Sequence, residues 1–316
     1  IVVDCHLPAL LASADARVVW VADRDARRAR LVGSGFGVKS VTATDNIEDL
    51  PSAEVVLLAA PYGVRAAMYP ALAQKFGAAY VEKPFARTLA EHDQNSSFFL
   101  PERVACGYQR RSLGAARAMR EIIRSKLFGT LEHVDMGFGG PLIKTGGRYS
   151  TSLEMAGGGV LFEVGVHGLD FVLHVCDASA TRPVAVDMIK REGFDLHTKA
   201  TLDVERTGGP TVRFDLVVTN LERSSNVHVF TFENASITFA LFGDNVIRVR
   251  PRNGSPAFVL AGELTDYPRA SDQIFHEHWR CFFEAIRTGH PNATSAIDSR
   301  VTTQAVEQLY AAEARA

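Results

Sequence analysis

Cysteine is scarce in this 316-residue chain, and its four copies, Cys5, Cys106, Cys176 and Cys281, stand far apart. No C-x-x-C pair occurs, so neither a thiolate zinc site nor the dense framework of a disulfide-stapled secreted domain is indicated. That usage points to a reduced, cytoplasmic protein. Long apolar runs are missing as well. Stretches such as Val55 to Pro61 have strand length, whereas a membrane helix needs roughly 20 apolar residues, so no membrane span or membrane partner is expected. No signal-peptide pattern is visible. Charge of one sign is also lacking: the formal net charge is −2, which leaves no excess of Lys and Arg for a nucleic-acid groove. Internal repeats and low-complexity tracts are absent.

What is present is the composition of a globular enzyme, 47% hydrophobic and 22% charged, in a length that suits two cores rather than one. The first hundred residues alternate buried-strand patterns with helical ones. Strands are expected over residues 17–22, 55–60, 79–81 and 103–108, and helices over 25–32 and 62–76. Such alternation predicts a parallel sheet with helices on both faces. After a helix expected over 112–126, strands dominate: 131–138, 184–191, 198–206, 212–219, 227–232, 236–242 and 246–250. Segments such as Val212-Arg213-Phe214-Asp215-Leu216 alternate polar and apolar residues, which suits an antiparallel sheet covered on one face. Helices over 272–288 and 295–314 close the chain. The boundary between the two domains is placed at 112/113.

Parallel α/β sheets bind ligands beyond the carboxyl ends of their strands. Asp23 follows the first expected strand and can accept bonds from ribose hydroxyls. Arg24 beside it can instead meet a 2′-phosphate, so NAD is weighted over NADP without excluding the latter. The competing reading of Asp23 is a helix N-cap. The first strand and glycine loop of a dinucleotide fold are missing from the sequence. Val2 to Ser13 reads as the helix that comes after such a loop, which would place Ile1 and Val2 near the pyrophosphate.

Glu82-Lys83-Pro84-Phe85 closes one strand and Ala60-Pro61 an earlier one. His6-Leu7-Pro8-Ala9-Leu10 precedes them, as does Val21-Ala22-Asp23-Arg24. Gly107-Tyr108-Gln109-Arg110-Arg111 comes later, and then Gly157-Gly158-Gly159 through Glu163, Gly165, His167 and Asp170. In this order and spacing the chain resembles the glucose–fructose oxidoreductase/inositol dehydrogenase/MocA-like family. The resemblance implies a Rossmann-type doubly wound domain followed by an α+β domain with a large, mainly antiparallel open sheet, whose outer face builds dimers or tetramers. It implies hydride transfer between NAD(P) and a hydroxyl-bearing carbon of a sugar, aminosugar or cyclitol. Two positions depart from it: the family usually has aspartate where Glu163 stands and often histidine where Arg65 stands.

The segment from Val160 to Val175 is apolar nearly all round, as in a buried helix. Glu163, His167, Asp170 and His174 interrupt it at spacings of four, three and four, which predicts a single polar stripe. A stripe on a buried helix needs partners or a cavity. Three readings compete: a catalytic stripe facing nicotinamide, a metal site, and a structural network. The first is preferred, with no metal. His167 then takes the hydroxyl proton, Lys83 stabilises the alkoxide, and Glu163 orients His167 or binds a neighbouring hydroxyl. Asp170, Arg148 and Tyr149 are further candidates for substrate binding. Ala60, Pro61, Glu82, Lys83 and Gln109 are candidates for the cofactor. Carboxylates at Glu163, Asp170 and Glu154 would suit a cationic aminosugar. Two other functions fit the same fold: a glycoside hydrolase using tightly held NAD, and a non-catalytic sensor that binds NAD(P) or sugar.

Overall fold

Asp25 starts the second α-helix of the parallel unit. Its carboxylate accepts from the backbone N–H groups of Arg27 and Arg28 at the head of α2 (Ala26–Gly35), which satisfies donors that the helix cannot pair itself. The N-cap is therefore Asp25 and not Asp23. Asp23 accepts from Asp25 N at 2.9 Å, in the short turn between β1 (Trp20–Ala22) and α2. The computed structural model of the protein describes residues 1–141, 152–240, 246–261 and 270–314.

In the parallel unit, β1 pairs with β2 (Ser40–Thr42), and β3 (Val55–Leu58), β4 (Ala78–Val81) and β5 (Val104–Cys106) form a second group. Among the described residues the two groups share no strand pairing. In the doubly wound order one further strand lies between two such groups. β4 is covered on both faces, which explains its uninterrupted apolar run. Ala78 and Tyr80 meet Ala9 of α1 (Leu7–Leu11) and Phe275, Trp279 and Phe282 of α9 (Ala270–Thr288), while Ala79 and Val81 join the main core. The helix expected over 62–76 is broken into α3 (Tyr62–Arg65) and α4 (Tyr69–Lys75). Pro70 sits in the first turn of α4, where its missing N–H costs nothing, whereas in the middle of one long helix it would break the hydrogen-bond ladder.

The second unit contains α5 (Leu89–Ser96) at its border, α6 (Gly114–Arg124), α7 (Leu153–Ala156), α8 (Val166–Val175), α10 (Arg300–Glu313) and an eight-stranded sheet. The strands are β6 (Leu131–Gly139), β7 (Ala178–Arg191), β8 (Phe194–Arg206), β9 (Gly209–Thr219), β10 (Val227–Phe232), β11 (Ala235–Ala240), β12 (Val246–Pro251) and β13 (Phe258–Ala261). Their order is β13-β12-β11-β10-β6-β9-β8-β7, and only the β6–β9 pair is parallel. Val134, Met136, Phe214, Leu216 and Phe230 point to the buried side, alternating with His133, Asp135, Arg213 and Asp215 on the other. α8 lies on the buried side, where Phe171 stacks on Phe239 at 5.0 Å. Leu153–Val175 is the one stretch among the described residues with the length and hydropathy of a membrane helix, and 78% of its apolar window is buried inside the fold.

Near its end the chain packs again on the first unit. α9 returns to pack on α1 and β4, and Asn292–Ala296 runs beside β5, with Cys106 N donating to Thr294 O and Ala296 N to Val104 O. All four cysteines are free thiols.

Candidate active site

β4 delivers Glu82 and Lys83 to the boundary with the second unit. Glu82 is buried, and its Oε1 lies 2.8 Å from His6 Nε2. Trp279 Nε1 donates to His6 Nδ1 at 3.1 Å, so the other ring nitrogen carries the proton toward Glu82. Burial pushes the Glu82 carboxyl up, but the His6 bond and the charges of Lys83 and Arg65 outweigh it and hold the pKa below the usual value. The carboxylate packs on Gly107, where a Cβ would lie 2.9 Å from Oε1. Glu82 is thus built into the floor of the site, one residue from the lysine it helps to place.

Lys83 reaches across to the second unit, where its Nζ donates to the backbone carbonyl of Glu163. Burial lowers its pKa, against the opposing pull of Glu82 and Glu163 and with that of Arg65. The acceptor belongs to a wide, π-type turn, Leu161–Gly165, which runs directly into α8. Asp195 at the start of β8 holds the head of this turn. Fully buried, it accepts from Gly159 N and Leu161 N, both at 2.8 Å, from Tyr310 Oη at 2.6 Å and from Thr198 Oγ1 at 3.1 Å. Gly159 must be glycine because a Cβ would collide with the Asp195 backbone, and Gly165 because its Cβ would lie 2.8 Å from the Val218 methyls. Asp195→Ala strands the Gly159, Leu161 and Tyr310 donors. It is expected to lower unfolding stability by about 2–3 kcal/mol, read as a shift of the denaturant midpoint; an unchanged midpoint would show that other groups hold the turn.

The wide turn also decides which polar residues of the helix share a face. Its extra residue rotates the rest of the helix, so a stripe drawn with one helical period from Glu163 to His174 does not hold. His167 remains beside Lys83. Burial, then the charges of Lys83 and Arg110, hold its imidazole pKa well below the usual histidine range, and Nδ1 is buried without a hydrogen-bond partner. Asp170, expected to bind substrate, is instead 1% exposed and lies against Arg111. Arg111 Nε donates to Oδ2 at 2.7 Å, Nη2 to Oδ1, and Thr302 Oγ1 to Oδ1 at 2.7 Å. Those contacts commit the carboxylate to the core. His174 lies further along, beside Arg120 and Arg124. Among the described residues one group has metal-ligand spacing, His133, Asp135 and Asp215, and it lies on the eight-stranded sheet rather than on this helix.

Ala60 and Pro61 come directly after β3 and lie next to β4, with Pro61 at the head of α3. Asp23 stands at the end of β1 with Arg28 Nη1 3.3 Å from its Oδ2, and Arg24 is exposed. Ile1 is 55% exposed and Val2 opens the wide turn before α1. Gln109 belongs to a 3₁₀ turn, not to the last strand, and its buried Oε1 has no partner. Arg148 and Tyr149 lie outside the described residues. Sequence reasoning missed Asp195, Arg111 and the His6–Trp279 link; a lone aspartate ahead of a strand was the only trace of the first.

The arrangement fits a dinucleotide. Asp23 ends a parallel strand, and the ends of β3 and β4 meet at one edge. The orphaned Gln109 and His167 atoms offer polar positions to a ligand between the units. The family described as "Oxidoreductase family, NAD-binding Rossmann fold" matches residues 2–98, and the GFO/IDH/MocA C-terminal domain matches residues 116–243. No curated protein matches in sequence. Among solved structures the chain is similar to an inositol dehydrogenase homolog from Azotobacter vinelandii complexed with NAD+, at 16% identity and TM-score 0.81 over 98% of this chain and 91% of that one. It is also similar to a levoglucosan dehydrogenase in complex with NADH and levoglucosan (17%, TM-score 0.80, 98% and 94%). A third is KijD10, a 3-ketoreductase from Actinomadura kijaniata, with NADP and TDP-benzene (15%, TM-score 0.79, 98% and 94%). These likenesses establish the fold, and the two matched domains establish the lineage: the chain belongs to the GFO/IDH/MocA oxidoreductases and carries their NAD-binding Rossmann domain.

Proposed function

We propose that the protein is an NAD-dependent dehydrogenase that exchanges a secondary alcohol for a ketone on a sugar or cyclitol, with Lys83 and His167 as its catalytic residues. The observation that supports this best is the bond from Lys83 Nζ to the Glu163 carbonyl, which draws the end of β4 and the substrate helix together beside a neutral His167. NAD, when bound, supplies the hydride acceptor. In the oxidation, His167 takes the hydroxyl proton, and the carbon bearing that hydroxyl gives up its hydrogen with the bonding electron pair, leaving the ketone. Lys83 donates to the same oxygen while alkoxide charge develops on it. Glu163 binds a neighbouring hydroxyl or orients His167. Asp23, at the end of β1, favours NAD over NADP. With Asp170 committed to Arg111, and with the Lys83 and Arg110 charges both acting on His167, a neutral polyol suits the site better than a cationic aminosugar. Self-association as a dimer or tetramer is proposed through the outer face of the eight-stranded sheet.

The test is the full-length protein with NAD or NADP and a panel of neutral sugars, cyclitols, sugar acids and aminosugars, followed by absorbance of the reduced nicotinamide. Reduction with one class of alcohol establishes the activity; cofactor binding without turnover across the panel would count against it. The pH profile carries a sign. A base must be neutral to accept a proton, and the depressed imidazole stays neutral further into acid than an ordinary histidine. The acid limb of kcat/KM is therefore expected below the usual histidine range. A limb at or above that range removes His167 from the role of base.

A further inference from the structure

Arg65 on α3 is 6% exposed, and its guanidinium meets three backbone carbonyls. Nε donates to Ala60 O at 2.7 Å, and Nη1 donates to Pro84 O at 3.0 Å and to Glu82 O. Ala60 comes after β3, while Glu82 and Pro84 come after β4 and flank Lys83. One planar group therefore ties together the ends of two neighbouring strands and holds the chain on both sides of the lysine. A lysine at this position would have one nitrogen for acceptors on two separate segments, whereas the guanidinium fork carries its donors at fixed angles.

We propose that Arg65 is the positioning residue of this site: it fixes the two strand ends that flank Lys83 and sets where Lys83 meets the second unit. The proposal rests on the dehydrogenase reading only for the importance it gives to Lys83.

The rest of α3 strengthens the assignment. Gly63 lies so close to α7 that a Cβ would stand 2.5 Å from Glu154 O and 2.9 Å from Met155 Cα. The Tyr62 ring packs edge-on against Phe162 of the wide turn, with centroids 5.2 Å apart, and its hydroxyl donates to Glu91. A single short helix thus docks on α7 and the wide turn with Tyr62 and Gly63 and grips the ends of β3 and β4 with Arg65. Its register links the position of the Glu163 carbonyl to that of Lys83. The charges that act on Lys83 come from Glu82 in its own segment, Glu163 from the wide turn and Arg65 from α3; burial keeps the Cys106 thiol of β5 protonated, and His167 of α8 feels the lysine in turn. Burial lowers the Lys83 pKa, the two carboxylates oppose this, and Arg65 adds to the lowering as a like charge.

The decisive experiment uses the full-length protein without substrate, as wild type, Arg65→Gln and Arg65→Lys. Modification of Lys83 by an amine-reactive reagent is followed against pH by peptide mass mapping, and NADH binding is followed by fluorescence titration. Loss of the like charge in Arg65→Gln is expected to raise the Lys83 midpoint by about half a pH unit, making the residue about threefold less reactive at a fixed pH below it. Arg65→Lys keeps the charge and is expected to restore the midpoint, while binding NADH about tenfold more weakly because one ammonium replaces the fork. A folded Arg65→Gln protein with the wild-type midpoint overturns the proposal. So does a folded Arg65→Lys protein with wild-type NADH affinity, which decides the matter if the glutamine variant does not fold. Failure of both variants to fold assigns Arg65 to stability alone and also overturns it. A wild type that binds no NADH sinks the dehydrogenase reading instead, and the midpoint comparison still tests Arg65.

Discussion

Lys83→Met is expected to lower kcat/KM by about 10²–10³-fold, the usual cost of removing one donor aimed at a developing oxyanion. His167→Asn is expected to cost about 10²–10⁴-fold, the range for loss of a general base. The two substitutions remove different functions from one transition state. Because the groups act on the same oxygen, the double variant should lose much less than the product of the two single losses. Steady-state kinetics on the best alcohol of the panel, with NADH affinity measured separately, checks this. In His167→Asn the affinity for NADH should remain near wild type, since His167 belongs to the substrate helix. In Lys83→Met it should weaken modestly, because Lys83 also holds the strand end against the Glu163 carbonyl. If Lys83→Met keeps its kcat/KM, the lysine is a strut between the two units and not a catalytic donor. If His167→Asn keeps most of its kcat, some other group takes the proton.

Why these two residues are legible in the sequence, when others are not, has a physical basis. Lys83 comes after β4, a run that is apolar without interruption because both of its faces are covered, and ligands of a parallel sheet collect at such strand ends. His167 interrupts a segment that is otherwise apolar all round, so it stands out as a polar group needing a cavity or a partner. Asp170 stands out for the same reason and suggests the same role, yet it has a partner in the core. Nothing in residues 160–175 announces Arg111, 59 positions earlier, as its counter-ion. Nor does local periodicity reveal the wide turn at Leu161–Gly165, whose extra residue shifts Glu163 relative to His167 and Asp170 on α8. The strands obey the same logic. β8 to β11 alternate or carry large apolar side chains and are legible. β2 has three residues, and the start of β7, Ala178-Ser179-Ala180, is small and polar; neither gives a period to read. The course of α9 is hidden for another reason: an amphipathic pattern shows that a helix covers something, but not which sheet. Its Trp279 and Phe282 cover the first unit.

The Arg111–Asp170 pair carries the other large expected effect. Both side chains are 1% exposed and joined by two bonds, with Thr302 supplying a third to the carboxylate. Burial lowers the Arg111 pKa, but Asp170 outweighs that and raises it above the usual value; the guanidinium is charged with or without its partner. Removing one partner leaves an uncompensated buried charge, at a cost of about 3–5 kcal/mol. Asp170→Asn should approach that loss although it keeps the shape, because the amide presents an NH₂ to one of the guanidinium donors. Replacing both residues by apolar ones, Arg111→Met with Asp170→Leu, should recover much of the stability, since the two desolvation penalties vanish together. Equilibrium denaturation of the three variants measures this. The same variants separate a core ion pair from a substrate ligand. If Asp170 bound substrate, Asp170→Asn would raise KM at nearly unchanged stability, and the double replacement would make binding worse still. With the pair acting in the core, stability falls in the single variant and returns in the double. The KM of whatever Asp170→Asn protein remains folded then stays near wild type, because α8 still presents His167 from the turn that Asp195 holds.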